Sequence, residues 1–415
     1  MNRNRMNKKR MGRARVLSRA AAGMLAAALC FQPMTALAGP AGDSSLTSSS
    51  SNAGPGGGSG SSNSGSTGSS GGSTSVSNGG VSAVTSGLGV YRVTENEGIG
   101  AIARGVDVSY WQQNVNWSQV ASDNVQFAML ATRFRGNVDP FFAMNAANAS
   151  QAGLRLGAYI YSYATSVEMA QQEADFVLNL IKDYPISFPV VFDAEDANTL
   201  GTLTQSQVSD VINAFCKRIQ DAGYYPMVYA NEYWIANKID MSKISYDIWV
   251  AKYQQKYTYS KTSMWQASNT GSVKGVNGNV DIDYLYKDYT QIIPGNTWRT
   301  IAGNRYYYQN HVMQKAAWIN DGQNWYYMNA AGNPSKGWLE LSGKKYYLEA
   351  DGHMITGWKT LDGGWRYFDA SGEQATGWRA VDGNWYFMAD NGLMQTGWLE
   401  TGGKKYYLNA SGAMQ

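Results

Sequence analysis

The stretch Phe188-Pro189-Val190-Val191-Phe192-Asp193-Ala194-Glu195 places an apolar run directly before two acids. A short run rich in β-branched and aromatic residues reads as a buried strand, and the acids mark its C-terminal end. Asp193 and Glu195 are two residues apart, so on an extended chain they point to the same side, roughly 6.6 Å from one another along the strand. Seven further runs of this kind surround it, at 105–108, 127–131, 156–161, 226–229, 248–251, 264–267 and 280–285. Helical patterns separate the earlier ones, and that alternation predicts βα units closing into an eight-stranded barrel. The clearest helix is expected over 205–222, with Val208, Val211, Ile212, Phe215 and Ile219 on one face, a capping box from Thr204 and Gln207, and Gly223 as its stop. The last two connections are too short for a crossover, which takes a dozen residues or more. The expected fold is therefore α/β, an irregular TIM-like barrel with fewer helices than strands and one antiparallel strand late in the chain.

Acids gather where such a barrel does its chemistry. Asp107 follows the first strand, Asp193 and Glu195 the fourth, and Asp281 lies at the eighth with Asp283 close by. In a β/α barrel the C-terminal strand ends line the active site. Neighbouring carboxyls push their pKa values apart, so a proton donor can stand beside an ionised partner, which is the pair that glycoside hydrolysis needs. An Asp-x-Glu alone also reads as a solvated loop or a cation site; four acids at three strand ends favour catalysis. The only histidines, His311 and His353, lie far downstream. Imidazole-based nucleophilic schemes and His-ligated zinc are thereby excluded from the barrel, and neither metal nor cofactor is expected. Cys216 lies beside the apolar helix stripe and reads as core. Tyr161, Tyr229, Trp249 and Trp265 fall at or near the same rim, where flat rings stack on sugars or simply pack the barrel.

From Trp298 onward the pattern changes. Trp298, Trp318, Trp338, Trp358, Trp378 and Trp398 recur every twenty residues, and an aromatic follows nine residues after each, from Tyr307 to Tyr407. A fixed period of this length predicts an all-β solenoid of hairpins, each burying its face against its neighbours. Residues 297–415 are assigned to it, and 89–296 to the barrel. Ahead of them, 39–88 is dominated by Gly, Ser, Asn and Thr and reads as a flexible linker. Residues 1–38 carry eight cations, then an apolar run, then Ala36-Leu37-Ala38, the layout of a cleaved secretory signal. The formal charge of +3 includes those eight cations, so the exported chain carries −5. A mildly acidic protein has no electrostatic footprint for nucleic acid, and no membrane span is expected.

Several of these stretches are shared with a known family. Gly105-Val106-Asp107-Val108-Ser109-Tyr110-Trp111-Gln112 resembles the opening strand of the glycoside hydrolase family 25 lysozymes. Gly157-Ala158-Tyr159-Ile160-Tyr161, the acid-bearing stretch through Glu195, Tyr224-Tyr225-Pro226-Met227-Val228-Tyr229, Ile248-Trp249-Val250-Ala251-Lys252-Tyr253, Met264-Trp265-Gln266 and Gly278-Asn279-Val280-Asp281 match in order and spacing. The resemblance implies cleavage of the β-1,4 bond after N-acetylmuramic acid in peptidoglycan. It further implies Glu195 as general acid, Asp193 as the residue stabilising the transition state or the substrate acetamido group, and Asp107 and Asp281 as additional active-site carboxylates. Arg133-Phe134-Arg135-Gly136 departs from the pattern, since many members carry an acid before the glycine. The repeats resemble choline-binding cell-wall repeats, with Gly-Trp at 337–338, 357–358, 377–378 and 397–398. That implies a wall polymer such as choline-bearing teichoic acid as partner, held by Trp318, Trp325, Trp338, Trp358, Trp365, Trp378, Trp385 and Trp398 through cation–π contacts. Seven residues after each opening tryptophan the repeats carry either a ring or a cation, and a cation there cannot build an aromatic wall: Arg305, Trp325, Lys345, Trp365, Trp385 and Lys405. The alternatives are a non-catalytic glycan-binding adhesin and a glycosidase acting on another polysaccharide.

Overall fold

The computed structural model describes residues 73–76, 82–93, 98–253 and 255–415. The expected leader and most of the expected linker lie outside the described residues. The linker's last part is not a tether. Strands β1 (Ser73–Val76), β2 (Ser82–Ser86) and β3 (Gly89–Val93) form an antiparallel sheet, and Val84 and Tyr91 are buried beside the barrel. Two apolar anchors among small polar residues suffice here, which composition alone does not reveal.

The barrel strands are β4 (Ala103–Val108) and β5 (Phe127–Ala131), then, after a short hairpin of β6 (Arg133–Phe134) and β7 (Asn137–Val138), β8 (Arg155–Tyr161), β9 (Ile186–Asp193), β10 (Pro226–Asn231), β11 (Asp247–Ala251), β12 (Thr262–Gly271) and β13 (Val280–Leu285). They close in the order β10-β11-β12-β13-β4-β5-β8-β9. All neighbours are parallel except around β13, which runs antiparallel to both β12 and β4. The β12–β13 connection, residues 272–279, is too short for a crossover, so β13 turns back antiparallel on β12, whereas residues 252–261 return β12 parallel to β11 without a helix. Among the described residues the helices are α1 (Trp117–Ser122), α2 (Phe142–Gln151), α3 (Val167–Ile181), α4 (Gln205–Asp221) and α5 (Glu232–Asn237). None of them is long and apolar enough to cross a membrane. Helix α4 carries the expected capping box, and Gly223 stops it at φ +83°.

Alternation along the strands sorts side chains between two cores. Phe127, Met129, Val191, Trp249, Met264 and Leu285 point inward and fill the barrel. Their neighbours Ala128, Leu130, Val190, Val250 and Trp265 point outward against the helices, with Cys216 among them. Inward-facing Gly105 and Gly157 make this packing fit: a Cβ on Gly105 would lie 2.2 Å from the Phe127 ring, and one on Gly157 would lie 2.4 Å from the Met129 sulfur.

Beyond the barrel, β14 (Thr297–Ile301), β15 (Asn304–Gln309) and β16 (Val312–Met313) form the first repeat. Five two-stranded hairpins follow: β17–β18 (317–320 and 325–328), β19–β20 (337–341 and 344–348), β21–β22 (357–361 and 364–368), β23–β24 (377–381 and 384–388) and β25–β26 (397–401 and 404–408). Leu348, Phe368, Met388 and Leu408 form their buried spine. The segment after one hairpin hydrogen-bonds to the hairpin before it, as in Met354 N to Trp325 O at 2.7 Å and Met394 N to Trp365 O at 2.8 Å. The first repeat also shares the barrel's outer core, to which Ile301, Tyr306, Tyr308 and Met313 belong. Arg299, almost fully buried, lies between the Tyr224 and Tyr308 rings at 4.0 and 4.4 Å. Tyr308 donates to Lys182 O at 2.8 Å.

Candidate active site

Asp107, Asp193, Asp281 and Asp283 continue the inward-facing rows of β4, β9 and β13 above the apolar filling. In register, Asp281 stands opposite Asp107 across the antiparallel pair. Glu195 lies two residues past the end of β9, where Ala194 N still bonds Tyr229 O at 2.9 Å. The chain beyond is fixed by Asp196, whose Oδ1 accepts from Thr199 N at 2.7 Å, Thr199 Oγ1 at 2.8 Å and Asn198 N at 3.0 Å. Its other oxygen accepts from the Tyr161 hydroxyl at 3.1 Å. Glu195 is thus held between a strand end and a tied turn. A cavity of about 420 Å³ opens above this layer, lined by Asp107, Asp193, Glu195 and Asp281 together with a ring of aromatic side chains.

Hydrogen bonds fix the floor. Gln266 donates from Nε2 to Asp107 Oδ2 at 2.8 Å, and its Oε1 accepts from the Tyr229 and Tyr253 hydroxyls, each at 2.9 Å. The Trp249 indole donates to Asp283 Oδ1 at 3.0 Å. Burial and crowding raise the acids together. Asp107 is pushed well above the carboxylate range by burial and then by the charges of Asp281 and Asp283. Asp193 is raised by burial and Glu195, and Asp283 by burial and Asp281. Glu195 is raised by burial, Asp281 and Asp196, while burial lifts Asp281 to about 6. Asp196 goes the other way, because its hydrogen bonds outweigh burial. A layer of this kind holds fewer negative charges than it has carboxyls, and so contains protonated donors beside ionised groups.

The cavity mouth is aromatic on one side. Phe134, on the β6–β7 hairpin, stacks on Tyr110 at 3.9 Å between centroids, and Trp111, 67% exposed, meets its edge at 5.7 Å. Arg133 is ion-paired with the buried Glu173, which also accepts from Ser162 Oγ at 2.6 Å and Tyr163 N at 3.0 Å. Arg135 opens the hairpin turn at φ +49° and lies exposed over Phe134, 5.1 Å from its centroid.

Of the aromatic residues expected at the rim, Tyr161, Tyr229 and Trp249 line the cavity, the last two as its floor. Trp265 does not. It is 1% exposed, packs in the outer core and donates its indole N–H to Lys252 O at 2.8 Å. Strand parity explains the correction: Met264 and Gln266 take the inward positions of β12, so Trp265 faces the helices. The sequence reading also missed Tyr159, Tyr163, Tyr253 and Phe134, although parity from Tyr161 gives Tyr159. In the repeats, Trp325, Trp338, Trp365, Trp385 and Trp398 are exposed, while Trp318, Trp358 and Trp378 sit half-buried between hairpins.

An irregular β/α barrel whose strand ends gather carboxyls under an aromatic cleft defines a glycoside hydrolase. Residues 106–276 match the glycosyl hydrolases family 25. Residues 335–376 and 375–415 match the choline-binding repeat, and 317–333 a putative cell wall binding repeat. The uncharacterized protein YegX of Escherichia coli O157:H7 is 31% identical over 189 residues, covering 43% of this chain and 68% of the relative. Lysozyme M1 of Streptomyces globisporus is 30% identical over 195 residues, covering 43% of this chain and 66% of its own length. A multimodular pneumococcal cell wall endolysin from phage Cp-1, solved with choline, aligns over 75% of this chain and 94% of its own at 22% identity and a TM-score of 0.37. The chain belongs to glycosyl hydrolases family 25 and carries choline-binding repeats at its C-terminal side.

Proposed function

We propose that the chain is a muramidase, which hydrolyses the β-1,4 bond between N-acetylmuramic acid and N-acetylglucosamine in peptidoglycan and is held on the wall by its repeats. The observation that carries the catalytic reading is the raised, mutually repelling carboxyl layer beneath the aromatic cleft. Glu195 is the general acid: it is the least buried member on the β9 side, and burial with the charges of Asp281 and Asp196 keeps its proton available for the leaving oxygen. Asp193 stabilises the positive charge that develops on the sugar ring, or orients the acetamido group. Asp107 and Asp281 add negative potential across the cleft, and a cationic transition state draws the shared protons off this layer. Trp111, Phe134 and Tyr161 offer faces for the sugar rings.

Lysozyme M1, by its name, supports the activity. The repeats raise the local concentration of barrel on its polymer without touching the transition state, and choline-bearing teichoic acid fits their ring chemistry. Export through residues 1–38 and a linker ahead of β1 complete the reading, with the repeats starting near residue 297 and the first of them packed into the barrel's outer core. Digestion of purified peptidoglycan tests it. New reducing ends on N-acetylmuramic acid are expected, whereas new ends on N-acetylglucosamine, or none, would refute it.

A further inference from the structure

The contact that joins successive repeats is itself periodic. Each opening tryptophan packs against the aromatic residue twenty-eight positions later: Trp298 on Tyr326 at 4.9 Å, Trp318 on Tyr346 at 5.1 Å, Trp358 on Tyr386 at 4.8 Å and Trp378 on Tyr406 at 4.9 Å. At the junction of Trp338 the pattern breaks, because the corresponding residue is Arg366. Its guanidinium takes the missing ring's place, 5.1 Å from the Trp338 centroid.

A second wall distinguishes the junctions further. At the fourth and fifth, another tryptophan stands nearly perpendicular to the first: Trp365 to Trp358 at 6.4 Å and 87°, Trp385 to Trp378 at 6.4 Å and 80°. Trp325 holds the same place in the second. The two corners at Trp358 and Trp378 present aromatic faces to solvent, and Trp325 is exposed to the same degree as Trp365 and Trp385, each about half. A quaternary ammonium suits them, because it has no N–H to satisfy and is attracted by ring faces within about 6 Å. The first junction has Arg305 at this place, with its guanidinium only 4.1 Å from the Trp298 centroid. In the third, Arg366 is ion-paired with Asp362 at 3.4 Å and donates to Asn391 O, and Asp362 also accepts the Trp338 indole N–H at 3.1 Å. The cavity there is lined by Glu340, Lys345, Asp362 and Gln374 around a single ring, so its walls are charged and polar where the fourth and fifth junctions pair two tryptophans.

We propose that Arg305 and Arg366 are built-in cations, which occupy the faces of Trp298 and Trp338 and close the first and third junctions to quaternary ammonium ligands. The inference rests on the reading of these repeats as ammonium-binding. Each guanidinium already uses the ring quadrupole and repels an incoming cation. The open sites are those of Trp318, Trp358 and Trp378. A functional consequence follows for the joint to the barrel. The first repeat, docked through Arg299 and Tyr308, has its junction completed by the chain's own Arg305, so the catalytic barrel is held against the first hairpin whether or not the wall ligand is present. Ligand occupancy acts only on hairpins farther along.

Equilibrium dialysis of the full chain against choline tests this directly. Three choline molecules per chain are expected for the wild type. Arg305→Trp, which gives the first junction the ring found in the second, fourth and fifth, is expected to bind four, as is the double substitution Lys345→Trp with Arg366→Tyr. Five bound by the wild type, or three by both variants with native near-UV circular dichroism, would overturn the proposal while leaving the repeats as choline binders. The wild-type count decides even where a variant fails to fold. No binding of choline by wild type or variants, with the chain still sedimenting on purified wall, would overturn the ammonium reading itself and this inference with it.

Discussion

Tyr308 belongs to the first repeat, yet the structure makes it part of the barrel's stability. Its hydroxyl donates to Lys182 O at 2.8 Å and lies 3.1 Å from the Tyr224 hydroxyl, and its ring covers one face of the Arg299 guanidinium. Tyr308→Phe leaves a buried carbonyl and hydroxyl short of a partner, a loss of about 1–3 kcal/mol. Tyr308→Ala removes the buried ring as well, and large aromatic truncations of this kind cost about 3–5 kcal/mol. With about 2–4 °C of Tm per kcal/mol for a unit of this size, the phenylalanine variant should melt at least a few degrees lower and the alanine variant lower still. Differential scanning calorimetry, with residual hydrolysis measured after each heating step, reads the effect on the barrel. A barrel transition unmoved in both variants would show that the first repeat contributes nothing to the barrel's core. The same contacts imply that a chain cut near Pro294 exposes Tyr224 and the outer face of α3, so a truncated barrel needs its first repeat.

Two other outcomes follow from the site. Asp281 has a folded pKa of about 6 against an ordinary value near 3.8, so the fold favours its protonated form. Its contribution is fully present below pH 3.8 and lost as pH rises through 6; urea midpoints should fall across that window and Asp281→Asn should flatten the fall, whereas an unchanged slope would contradict the assignment. Trp111→Ala should raise KM for glycan with little change in Tm, while Trp265→Ala should lower stability by about 3–5 kcal/mol; the reverse pattern in a joint melting and kinetic comparison would mean that strand parity had been misread.

The eight strands were legible because each is a short apolar run with turn residues at both ends, and all eight recur in the structure at or near the expected bounds. Asp107, Asp193 and Glu195 were legible as acids at the C-terminal ends of buried strands and Asp281 as the acid opening the last one, and all four line one cavity. The aromatic rim was not. Trp265 and Gln266 are neighbours, and choosing between them requires the parity of β12, which its irregular pairing with β11 and β13 obscures. Glu173 sits mid-helix in α3, forty residues from its partner Arg133, and nothing local marks it as the buried partner of a residue that lines the cavity. The sheet of β1 to β3 was hidden by composition, since Gly, Ser and Thr serve a tether and an exposed edge equally well. The fused core of barrel and first repeat was hidden by the regular twenty-residue period, which assigns Tyr308 to the solenoid although its ring packs on Arg299 and Tyr224.

Leaving-group dependence shows whether Glu195 delivers the proton to the leaving oxygen. Single-turnover rates of Glu195→Gln should be measured on a peptidoglycan oligosaccharide and on a muramyl glycoside carrying an activated phenol. An amide has no proton to give, so cleavage of the oligosaccharide should fall by about 10²–10⁴, the usual contribution of general acid catalysis. Release of the phenol, which leaves without protonation, should stay close to the wild-type rate. Equal losses on both substrates, or oligosaccharide cleavage within tenfold of wild type, would contradict that role for Glu195.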